Sequence, residues 1–164
     1  MWRTILAAAV LVASTTGPAG SWVAPVALDP GHVLRGFERP AHRFAPGHRG
    51  VDLKADAGTP VRAIGTGTVT FAGEVAGVPT VAIDHSFVRS TYLPVASLVE
   101  VGDLVTVGQT IGTISARGRH CARDCLHLGV KRTGPMGTED DPYVDPLAWI
   151  NAIPVLKPLS ARRR

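Results

Sequence analysis

Eighteen glycines and thirteen prolines punctuate this chain of 164 residues along its whole length, with no collagen period. Such spacing breaks long helices and leaves room only for short extended pieces joined by tight turns. From Gly50 onward the pieces are β-prone: 51–53, 61–63, 68–71, 81–83, 91–93, 104–107, 111–114 and 126–130. Turn residues separate them at intervals of about ten, the rhythm of an all-β sandwich or barrel. A helical bundle is excluded, and the length suits one domain rather than two. A short helix is expected near 146–150, where Asp145 can cap and Pro146 can occupy the first helical position.

The N-terminus has a different character. Arg3 gives a positive start, Ile5 to Ala13 is an unbroken apolar run, and the stretch to Gly20 is small and turn-prone. This is the pattern of a secretory signal peptide, expected over 1–19. The run is less than half of the roughly 20 residues a membrane span needs, so the mature protein is expected to be exported, without a transmembrane span. Residues 20–46 carry Pro25, Pro30, Pro40 and Pro46 and keep no period for long, which reads as an extended arm leading into a core domain over 47–150. The tail, 151–164, is basic and ends in three arginines. It lacks the interleaved aromatics of a nucleic-acid surface, so no nucleic acid is expected as partner. A solvated tail against an anionic cell envelope is the plainer reading.

Two stretches echo one another. Pro60 to Val69 and Val101 to Gly112 each run strand, glycine turn, strand. That suits a small barrel of two similar halves, and equally two independent hairpins.

Two histidines stand out by context. His48 precedes Asp52 by four residues at the start of the β region, and an extended chain would bring both to one side as a nitrogen and an oxygen donor suited to zinc. His127 lies in a strand whose alternation puts Cys125, His127 and Gly129 on one face and Leu126, Leu128 and Val130 on the other. Alone, each is equally an ordinary polar or hydrogen-bonded histidine.

In order and spacing, however, Gly47-His48-Arg49-Gly50-Val51-Asp52-Leu53, Gly58-Thr59-Pro60-Val61-Arg62-Ala63, Gly67-Thr68-Val69, Ile83-Asp84-His85, Val101-Gly102-Asp103-Leu104-Val105, Gly108-Gln109-Thr110-Ile111-Gly112 and Leu126-His127-Leu128 resemble the lysostaphin and LytM type of zinc metallopeptidase. The resemblance spans about 47–148. It implies an antiparallel β core of the duplicated hybrid motif kind and hydrolysis of peptide bonds in bacterial cell-wall peptidoglycan. Its zinc ligands would fall on His48, Asp52 and His127. Two histidines and a carboxylate leave a fourth position open, as in a catalytic Zn2+ site.

The family also places two further histidines beside the metal to handle protons. Here Pro94 stands at one of those positions and Cys125 at the other. Proline offers no side-chain donor or base. Cysteine has three options: a fourth zinc ligand, a disulfide with Cys121, or a free thiol. Two cysteines in an exported chain favour the Cys121–Cys125 disulfide. His120 and His42 are the candidate substitutes for the missing proton groups. Two functions follow from the resemblance: a zinc-dependent endopeptidase acting on peptidoglycan peptides, or a catalytically degenerate module of the same fold that binds peptidoglycan or a partner hydrolase. A swinging-arm carrier domain, suggested by the hairpin-like 101–114 stretch, is excluded because neither Lys54 nor Lys131 sits at a hairpin tip.

Overall fold

A computed structural model describes residues 22–29, 31–42, 44–118, 121–134 and 142–150. The expected signal peptide, the basic tail and His120 lie outside the described residues. Among the described residues eleven strands are formed: β1 (Val33–Arg35), β2 (Val51–Lys54), β3 (Pro60–Arg62), β4 (Gly67–Val75), β5 (Val78–Asp84), β6 (Val88–Leu93), β7 (Val95–Ser97), β8 (Leu104–Val105), β9 (Thr110–Ile114), β10 (Cys125–Arg132) and β11 (Tyr143–Val144). The expected helix is a single 3-10 turn, Pro146–Ala148, with the Asp145 carboxylate accepting from the Leu147 N–H.

The strands make two antiparallel sheets. The larger runs β1-β2-β10-β6-β5-β4-β8, with β11 also on β10; the smaller runs β3-β9-β7. Alternation explains the core. In β10, Leu126, Leu128 and Val130 are fully buried, as are Val51 and Leu53 of β2 and Val81 and Ile83 of β5. They meet Val61, Ile111 and Val95 from the smaller sheet. Each such side chain contributes about 1.5–3 kcal/mol by leaving water.

The echoing stretches are neither hairpins nor independent. β3 pairs with β9 and β4 with β8, so each stretch uses the other as its partner and the two halves interlock across both sheets. β4 and β5, by contrast, are joined by a true two-residue turn, Ala76-Gly77, both at positive φ. Such a turn matches the strands' twist and favours glycine.

Pro94 marks the point where the chain leaves β6 in the larger sheet and enters β7 in the smaller one. A residue without an N–H suits a position between two ladders. Its carbonyl is used by the Ser115 N–H, 3.0 Å away.

The segment expected as an arm leading into the domain is instead packed onto it. The Val23 N–H donates to Ile64, the Arg62 N–H to Pro25 and the Lys54 N–H to His32. Val26 is buried in the core, Trp22 lies against Gly65, and β1 extends the sheet beyond β2. The folded unit therefore includes residues well before 47. Long-range contacts dock this segment on the core, which is why no local period betrayed it.

A polar chain crosses the core beneath Trp22. His85 donates from Nδ1 to the Thr66 carbonyl (2.8 Å), and its Nε2 meets Ser90 Oγ (2.8 Å). Ser90 Oγ contacts the Tyr92 hydroxyl at 3.0 Å, and that hydroxyl also accepts from the Ile64 N–H. Burial pushes the Tyr92 hydroxyl up to about 12. Desolvation likewise holds His85 below its ordinary value, outweighing the hydrogen bond to Thr66 and the pull of Asp84. The folded state thus binds the His85 proton less readily than the unfolded chain. Its contribution to stability is fully present above the unfolded value of about 6.5 and is lost as pH falls below it. Thermal unfolding followed from pH 7 to pH 5 should therefore show a steeper fall in midpoint for the natural chain than for His85→Gln; equal slopes would remove His85 from this role.

Candidate metal centre

Asp52 lies between Val51 and Leu53, whose side chains fill the core, so its carboxylate points from the opposite face of β2. On the neighbouring β10, His127 is its direct cross-strand partner. Two residues far apart in sequence thus share one spot by register alone. His48 reaches the same spot differently from the expected continuous strand. It is held by an isolated bridge to Glu38, with N–H to carbonyl bonds of 2.9 Å in both directions, and the chain bends at Arg49 and Gly50 before β2 begins.

The three donor atoms converge. His127 Nδ1 is 2.8 Å from Asp52 Oδ1, His48 Nε2 is 3.1 Å from the same oxygen, and the two nitrogens are 3.2 Å apart. Zinc bonds of about 2.0–2.2 Å in tetrahedral geometry set neighbouring donors about 3.3–3.6 Å apart. The observed triangle is a few tenths of an ångström tighter, so a small outward movement admits an ion. The donor set also fits: two imidazoles and one carboxylate are zinc ligands, and among the described residues these three form the group able to hold a metal. His48 and Asp52 are buried and His127 is largely so.

Supporting contacts orient the ligands. His48 Nδ1 donates to the Gly36 carbonyl at 2.7 Å, leaving Nε2 as the lone-pair atom facing the triangle. Gly36 belongs to the segment before residue 47, and sequence reasoning missed it, because a backbone carbonyl leaves no side-chain signature. Gly50 makes room for the His127 ring. A Cβ there would stand 2.4 Å from the Leu128 carbonyl oxygen and 2.5 Å from His127 Nε2, so only a residue lacking one fits.

The flanking positions supply no proton group. Pro94 is buried and has none to offer. Cys125, which faces Lys54 across the ladder, is bonded to Cys121 with Cα atoms 6.1 Å apart, so the disulfide expected from the sequence is formed. Closing so short a loop stabilises the fold by about 2 kcal/mol in the chain-entropy model. His42 is exposed and is not among the residues that meet at the triangle.

Comparisons with known proteins give the family and the fold. The family model "Peptidase family M23" matches residues 46–145, and the chain belongs to that family. The uncharacterized protein Rv2891 of Mycobacterium tuberculosis (strain H37Rv) is 42% identical over 138 residues, covering 82% of this chain and 54% of that protein. A second protein of that strain, Rv3786c, is 31% identical over 130 residues, covering 77% of this chain and 29% of its own length. The chain thus spans about half the length, or less, of these curated relatives.

Among solved structures, a zinc containing peptidase from Vibrio cholerae is similar with a TM-score of 0.59 and 26% identity, over 76% of this chain and 39% of that one. LytU is similar with a TM-score of 0.57 and 27% identity, over 71% and 82%. Lysostaphin from Staphylococcus simulans shares the fold with a TM-score of 0.62 and 22% identity, over 90% and 61%. The fold is that of the lysostaphin-like M23 domains. No helix among the described residues is long and apolar enough to cross a membrane.

Proposed function

We propose that this chain is an exported, zinc-dependent metalloendopeptidase-like protein acting on the peptides of bacterial cell-wall peptidoglycan, with slow hydrolysis. The observation that carries this reading is the convergence of His48 Nε2, Asp52 Oδ1 and His127 Nδ1 within hydrogen-bonding distance of one another. When bound there, zinc supplies Lewis-acid polarisation of a peptide carbonyl and of water. The chain's own residues would hold the ion: His48, fixed by Gly36, and His127, given room by Gly50, provide nitrogen donors, and Asp52 a buried carboxylate oxygen.

The low rate follows from Pro94 and Cys125. General acid and base groups typically contribute about 10²–10⁴-fold, and the two positions where this family keeps them hold a buried proline and a disulfide sulfur. These same two residues favour the second reading, a module that binds peptidoglycan or a partner hydrolase without chemistry.

Purified peptidoglycan separates the two. The full chain should co-sediment with it and release new peptide amino groups slowly, in a manner lost on chelation. Co-sedimentation with no chelator-sensitive release would establish the second reading, and absence of both would overturn the peptidoglycan assignment.

A further inference from the structure

Cys125 lies on the ligand-bearing face of β10, two residues before His127. On a strand, side chains at i and i+2 share a face with backbones about 6.6 Å apart. A thiolate binds zinc at about 2.3 Å and an imidazole at about 2.0–2.1 Å, so two side chains at that spacing can reach one ion. In the disulfide, the Cys125 sulfur is bonded to Cys121 instead. The two sulfurs also differ in access: Cys125 is 2% exposed, whereas Cys121 is only partly buried and opens a short loop whose next residues, Ala122 and Arg123, are exposed.

We infer that the Cys121–Cys125 disulfide is a redox latch on the metal centre: reduced by a dithiol, it frees Cys125 as a fourth ligand beside His48, Asp52 and His127 and closes the open coordination position. The inference rests on the reading that these three residues hold a divalent metal. In the reducing step, a thiolate of the dithiol attacks the more accessible Cys121 sulfur. The S–S bond breaks, and its electron pair leaves on Cys125. The second thiol of the reductant then displaces Cys121 from the mixed disulfide. The reductant is oxidised to its own disulfide, giving up two electrons, and both protein sulfurs are reduced. Cys125 coordinates as the thiolate, so its proton stays with solvent.

A site with four protein donors and no open position is of the structural kind. The oxidised chain therefore keeps the centre accessible to a substrate carbonyl, and the reduced chain holds its metal more tightly and excludes substrate. The disulfide in this account is more than a loop brace. It decides which kind of metal site the same three residues belong to.

Cobalt(II) reads the ligand set directly. Four forms of the full chain are titrated with Co2+: oxidised, reduced with a phosphine that brings no thiolate of its own, Cys121→Ser and Cys125→Ser. A near-ultraviolet thiolate-to-cobalt charge-transfer band is expected in the reduced chain and in Cys121→Ser, and in neither of the others. Competition with Zn2+ should give a Kd at least about tenfold lower for the reduced chain than for the oxidised one. Visible cobalt bands in all four forms without the charge-transfer band would overturn the latch while leaving the three-ligand centre intact. No cobalt bands in any form would overturn the metal reading and the latch with it. The reduced natural chain needs no substitution, so a misfolded variant does not decide the result.

Discussion

Replacing Pro94 and Cys125 together by histidine, with Cys121→Ser to leave no lone thiol, is expected to raise the rate of peptidoglycan-peptide hydrolysis by about 10²–10⁴-fold. Both positions flank the candidate metal ligands. Pro94 directly follows Leu93, which pairs with His127 across β6 and β10, and Cys125 shares the His127 face two residues away. In the natural chain these places hold a ring with no ionisable atom and a sulfur committed to Cys121. An imidazole at each would supply a proton donor and acceptor near neutral pH, where its ordinary titration lies. The gain should appear in kcat, since substrate contacts elsewhere are unchanged. A triple variant that folds, keeps its metal and hydrolyses no faster would show that proton transfer is not what limits this centre. The variant gives up the disulfide's contribution, so its thermal midpoint should fall even as its rate rises.

The β core was legible because its turns are written in glycine and proline, and because alternation in 126–130 separates the core-facing Leu126, Leu128 and Val130 from the face that carries His127. What escaped was held by distant contacts. β1 has all three residues exposed, and β7 and β11 are three and two residues long, so none offers a period to detect. The segment before residue 47 read as an arm; in the structure it buries Val26, extends the sheet and supplies the Gly36 carbonyl that orients His48. The two echoing stretches showed similarity of halves but not how the halves pair. Their interlock depends on strands whose paired residues lie about 36 to 53 positions apart finding each other.

For the centre itself, chemistry could be read from residue types at His48, Asp52 and His127, and the family resemblance selected those two histidines from six. Their convergence could not be read locally. It comes from the β2–β10 register, which sets Asp52 opposite His127, and from a bend at Arg49 and Gly50 that returns His48 to the same point. Pro94 shows the limits of a motif most plainly. The resemblance presents it as a missing histidine, whereas the fold gives it a place of its own, at the crossing from one sheet to the other.

Asp52 is the hinge of the metal reading, because its Oδ1 contacts both histidines and its charge is buried between them. Asp52→Ala removes one of three ligands and the negative charge that offsets the ion. Loss of supporting contacts alone typically costs 10–100-fold in metal affinity, so loss of this ligand should cost at least about 100-fold. The measurement is zinc content by elemental analysis on the full chain, purified at neutral pH without added metal, beside Asp52→Ala. One zinc per natural chain and almost none in the variant is the expected result; a metal-free natural chain, or equal zinc in both, would contradict a zinc centre at His48, Asp52 and His127.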